Sequence, residues 1–88
     1  MDFVKEFSYV LTDENGIHAR PAGMLVKEAG KFQSKISILK GDKSADAKRL
    51  FALMSLAAKK GDTLEIKIEG SDEEEASSCI ESFLKQNL

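Results

Sequence analysis

Between Thr63 and Glu69 the chain alternates without a break: Leu64, Ile66 and Ile68 are apolar, while Thr63, Glu65, Lys67 and Glu69 are polar. Successive side chains of a strand point to opposite faces, so this segment belongs to a sheet with one face in a core and the other in water. The rest of the chain must then supply partner strands and a cover for the apolar face. Phe3, Phe7, Tyr9 and Leu11 against Val4, Glu6, Ser8 and Val10 give a first strand of mostly period two. Ile36 and Ile38 alternate with Ser37 and Leu39 in a second, and Lys40-Gly41-Asp42 is turn chemistry before a weak strand from Ser44 to Ala47.

The cover is helical. Ala22, Leu25, Val26 and Ala29 follow the i, i+3, i+4, i+7 spacing of one helix face, with Gly30 near its end. Leu50, Leu53, Met54 and Ala57 form a second stripe, closed by Lys59-Lys60-Gly61. Ala76, Cys79, Ile80, Phe83 and Leu84 form a third, which makes Cys79 a small core residue. Ser71-Asp72-Glu73-Glu74 reads as a capping box for that last helix. The predicted order is β-α-β-β-α-β-α, an α+β domain whose four-stranded, mainly antiparallel sheet is covered on one face by helices.

Eighty-eight residues suffice for one compact domain, residues 1–88, and are too few for two. The longest apolar runs are far short of the roughly 20 residues a membrane helix needs. Met1-Asp2-Phe3-Val4-Lys5-Glu6 lacks the basic and apolar regions of a secretory signal. One cysteine cannot form an internal disulfide and fits a reducing cytoplasm, the expected location. Net charge is −2, split between eleven Lys/Arg against seven Asp/Glu in residues 1–60 and two against eight in residues 61–88. That balance argues against nucleic acid as a partner, while the mildly basic first part suits an anion or an acidic partner. A split β-α-β sheet that binds RNA would also need exposed aromatics, and the chain has no Trp and one Tyr. A metal carrier of this order would need paired cysteines, so no metal or other cofactor is expected.

The chemistry concentrates in Gly16-Ile17-His18-Ala19-Arg20-Pro21-Ala22, around the only histidine. Gly16 permits a tight turn. Pro21 has no N–H, which a helix tolerates only in its first turn, so the helix begins near His18 or Ala19. The imidazole then sits at a helix N-terminus, where the free N–H groups of Ala19 and Arg20 and the helix dipole favour an anion. Arg20 adds a planar guanidinium shaped for phosphate oxygens. A nucleophilic ring nitrogen, N–H donors and an arginine together suit a phosphohistidine, because phosphoryl transfer needs mainly positioning and charge stabilisation. Asp13 and Glu14, nearby in sequence, read as loop solvation. Phe51, about 100° around the helix from Leu50, can stay exposed.

The run from Gly16 to Ala22 resembles the active-site signature of the HPr family of bacterial phosphocarriers, and the likeness extends over essentially the whole chain. The resemblance implies a carrier rather than an enzyme. It implies that His18 accepts phosphate on Nδ1 from phosphorylated enzyme I and passes it to a histidine of a sugar-specific IIA domain, with Arg20 steadying the group. It also implies a docking surface made of Leu50, Phe51 and Met54, with Arg49 and Lys27 beside them. A monomer without membrane insertion is expected. The alternative is an HPr-like paralogue serving a regulatory or nitrogen-linked branch. In many Gram-positive HPr proteins a regulatory serine opens the second helix; here that position is Arg49, and neither Ser44 nor Ser55 aligns with it. Serine-based control is therefore not expected.

Overall fold

The computed structural model describes residues 4–88, so Phe3, read above as the first apolar position of a strand, lies outside the described residues. The elements are β1 (Val4–Val10), α1 (Ala19–Ala29), β2 (Lys35–Lys40), β3 (Lys43–Asp46), α2 (Leu50–Ser55), β4 (Thr63–Glu69) and α3 (Glu73–Asn87), in the expected order. The sheet has four strands ordered β1-β4-β2-β3, and every pairing is antiparallel. The alternating segment that opened the sequence argument is β4, an inner strand: Ile66 faces Phe7 of β1 on one side and Ile38 of β2 on the other.

Leu64, Ile66 and Ile68 are buried with Ile36 and Ile38 on the covered face. Above them α1 buries Pro21, Ala22, Leu25 and Ala29, and α3 buries Ala76, Ile80, Phe83 and Leu84. Truncating a central residue such as Ile66 to alanine in such a core costs about 2–5 kcal/mol. The other face is mixed, with Val4 and Val10 exposed among polar side chains, and Lys67 of β4 pairs with Glu6 of β1 across it at 3.5 Å. Gly41 and Asp42 make the tight β2–β3 turn, with Gly41 in the left-handed region at φ 61°.

Three local expectations are corrected. The second helix does not run to Ala57 or close on Lys59-Lys60-Gly61; α2 ends at Ser55, and Ala57 leaves it at φ 51°. Lys40, from the end of β2, produces that ending. Its ammonium donates to the carbonyls of Leu56 (3.3 Å) and Ala57 (3.0 Å) and lies 3.3 Å from the Asp62 carboxylate. The last carbonyls of α2 thus find a cation from another element. Leu56 and Ala58, not Ala57, turn into the core.

The capping box is not formed either. Asp72 is the N-cap of α3, but its carboxylate accepts hydrogen bonds from Gln33 N–H (2.8 Å), from Ser34 N–H (2.9 Å) and from the Ser34 hydroxyl, which pins the start of α3 to the α1–β2 loop. Those donors, the Ser34 hydroxyl foremost, hold the Asp72 carboxyl below the usual carboxylate range. Glu74, the expected partner in the box, turns to Lys5 at 3.6 Å. Cys79, lastly, is only half-buried, and its thiol donates to Glu28 of α1 at 3.3 Å.

Candidate functional site

The start of α1 is held by a turn with little freedom. Gly16 has φ 62°, and a Cβ there would stand 2.0 Å from the carbonyl oxygen of Ala58. Ile17 N–H donates to that same oxygen at 3.1 Å, and the Ile17 side chain is buried. The β1–α1 loop is therefore tied to the segment that follows α2, the segment Lys40 clamps. His18 is the N-cap of α1, in extended conformation (φ −103°, ψ −179°), with no side-chain capping bond. Ala22 N–H makes the first helical hydrogen bond, to the His18 carbonyl at 3.0 Å. The N–H groups of Ala19 and Arg20 precede it and Pro21 has none, so two donors face outward beside the imidazole.

The His18 side chain is 42% exposed, and its Nε2 lies 3.9 Å from Oδ1 of Asp13. His18, Arg20, Asp13, Pro21, Met24 and Asn87 line one shallow pocket of about 280 Å³. The structure thus brings His18 and Arg20 to one rim, with the helix N-terminus beneath them. It also corrects the reading of Asp13 as loop solvation. Its N–H donates to the main-chain oxygen of Leu88 at 2.9 Å, and its carboxylate accepts the Asn15 N–H at 2.8 Å. The signal was present in the spacing: an aspartate two residues before an asparagine-glycine pair favours a turn closed by the aspartate side chain. Only the fold shows that this turn delivers the carboxylate to His18.

The expected docking residues divide. Phe51 is 81% exposed and Met54 38% exposed on α2, whereas Leu50 is half-buried against the core. Arg49 is exposed and is the N-cap of α2, without a side-chain capping bond. Lys27 lies elsewhere, on a larger groove of about 610 Å³ between α1 and α3 that Met24, Glu28, Cys79 and Phe83 also line. Burial, reinforced by Glu28, pushes the Cys79 thiol up, away from the thiolate form. Ser44 is exposed on β3, and Ser55 closes α2 with its hydroxyl donating to the Ala52 carbonyl at 2.7 Å. Among the described residues no three potential metal ligands cluster, and no helix is long and apolar enough to cross a membrane.

A family model described as the PTS HPr component phosphorylation site matches residues 5–86. Phosphocarrier protein HPr of Mycoplasma capricolum is 40% identical over 79 residues, which cover 90% of this chain and 89% of that protein. Phosphocarrier protein HPr of Haemophilus influenzae is 50% identical over 62 residues, 70% of this chain and 73% of that one. Among solved structures, a histidine-containing phosphocarrier protein of Mycoplasma superposes with a TM-score of 0.91 at 36% identity, covering 93% of each chain.

Proposed function

Because this chain belongs to the HPr family of phosphocarrier proteins, we propose that it carries a phosphoryl group on Nδ1 of His18. The group is taken from phosphorylated enzyme I and handed to a histidine of a sugar-specific IIA domain during phosphoenolpyruvate-dependent sugar uptake. The observation that carries this reading is the placement of His18 as N-cap of α1, with Ala19 and Arg20 N–H groups ahead of the first helical hydrogen bond. The Nδ1 lone pair attacks phosphorus as the bond to the donor histidine breaks, and the bonding electrons return to the donor. The N–H groups and the Arg20 guanidinium balance the charge on the transferring oxygens. Little else is required, which suits a carrier whose partners supply the remaining groups.

Exposed Phe51 and Met54, with half-buried Leu50 behind them, form the apolar part of a docking surface for enzyme I and IIA domains. Arg49 adds a fixed cation, whereas Lys27 stands apart on the groove between α1 and α3. The test is incubation with phosphoenolpyruvate and enzyme I followed by intact-mass measurement. Wild-type protein gains one acid-labile phosphoryl group and His18→Ala gains none; equal labelling of His18→Ala would overturn the proposal.

A further inference from the structure

We propose that Asp13 is a positioning residue for His18: its carboxylate keeps Nε2 on its own side and holds the proton there, which leaves Nδ1 to take the phosphoryl group and keeps the loaded ring in its protonated donor form as pH rises. This rests on the carrier reading above. Asp13 is fixed on three sides, its N–H on the main-chain oxygen of Leu88 (2.9 Å), its carbonyl receiving Gly16 N–H (3.0 Å) and its Oδ1 receiving Asn15 N–H (2.8 Å). That oxygen stands 3.9 Å from Nε2. The separation is longer than a hydrogen bond, but the broad χ2 torsion of histidine can close it. Among the described residues no other carboxylate side chain lines the pocket. Its charged members are Asp13 and Arg20, and α3 contributes only the Asn87 amide.

A neutral imidazole carries its proton on one nitrogen and its available lone pair on the other. With the proton on Nε2 beside Asp13, the lone pair is on Nδ1, next to the helix N-terminus. Attack on phosphorus turns the ring into a cation that still bears the Nε2 proton, and the carboxylate stabilises it. When the group departs, the P–Nδ1 bond breaks, its electron pair returns to Nδ1 and a neutral imidazole remains. Were the Nε2 proton lost first, the leaving group would be an imidazolate, a far poorer one. Asp13 therefore defends the reactive form as pH rises.

Asp13→Asn separates this role from loop structure, because the amide oxygen still accepts the Asn15 N–H while the charge is gone. Both proteins are phosphorylated with phosphoenolpyruvate and enzyme I and checked by intact mass. Return of the group to enzyme I and pyruvate is then followed from pH 6 to 8.5, with ¹⁵N NMR reporting the Nε2 titration of the phosphorylated ring. The expected result is near-equal return at pH 6, a deficit of about three- to tenfold for Asp13→Asn at pH 8.5, and an Nε2 midpoint lowered by about half a unit to one unit. Superimposable profiles from normally loaded proteins would overturn the inference. So would a defect seen in Asp13→Ala but absent from Asp13→Asn, which would assign Asp13 to the turn alone. If neither protein gains phosphate, the carrier reading fails and the inference falls with it.

Discussion

The Cα of Gly16 lies so near Ala58 that any side chain at position 16 would collide with the Ala58 carbonyl oxygen, 2.0 Å from the site of a Cβ. The oxygen cannot yield without giving up the Ile17 N–H bound to it at 3.1 Å. Gly16→Ala adds a left-handed penalty of roughly 1–2 kcal/mol to that collision. A loss of at least about 2 kcal/mol in urea unfolding is expected, together with slower phosphorylation of His18. An unchanged urea midpoint would contradict this account of the turn.

Phe51 makes the opposite prediction. At 81% exposure it supports little of the fold, so Phe51→Ala should change stability by no more than about 0.5 kcal/mol. As the most exposed large apolar side chain on the proposed docking surface, its loss should raise the KM of enzyme I for this protein about tenfold or more. Steady-state phosphorylation against a thermal unfolding scan separates the two effects.

By the family resemblance Arg49 stands where many Gram-positive HPr proteins open the second helix with a regulatory serine, and an arginine has no hydroxyl to phosphorylate. Incubation with ATP and a serine HPr kinase is expected to leave the mass unchanged. Its charge favours an acidic partner face. Arg49→Glu should therefore slow transfer from enzyme I, more at 10 mM salt than at 500 mM, since screening shortens the reach of surface charge. Transfer that is unchanged at low salt would make Arg49 a solvated residue only.

Asp72 ties stability to acid. The Ser34 hydroxyl, then Gln33 and Ser34 N–H groups, hold its folded-state carboxyl below the ordinary value of 3.8. A depressed folded value means that the stabilisation is complete above 3.8 and is lost as pH falls through the lower folded value. Asp72→Asn should lower stability at pH 7 and flatten the decline of stability below that range. Denaturant midpoints measured from pH 7 to pH 2 for both proteins check the slope as well as the sign.

Strands and helices were legible where neighbouring residues alone decide them. Leu64, Ile66 and Ile68 announce β4 by strict alternation, and Pro21 dates the start of α1 because its ring fits only a first turn. What escaped depends on residues far apart in the chain. Ala57 continues an apolar spacing, and nothing local says that Lys40, 17 residues earlier, will take its carbonyl and end α2. Asp72 looks like a cap until Gln33 and Ser34, 39 and 38 residues away, claim its carboxylate. At the site, the His18–Arg20 pair and its helix end could be read from one motif. Asp13 could not, because its approach to the ring is made by a turn whose neighbours say nothing about where it points.

The strand order also sets a timetable. Among the described residues β1 pairs only with β4, Val4 opposite Glu69 and Val10 opposite Thr63, and β4 is made roughly sixty residues after β1. At ribosomal speeds of about 5–20 residues per second, the first strand waits ~3–12 s for its partner to be synthesised. β2 and β3, joined by a tight turn, can meet long before, so the sheet grows from its β3 edge across β4 and accepts its oldest strand last. Through that interval Phe7 and Tyr9 have no neighbour strand to lie against, and the edge of the first strand stays open to other chains.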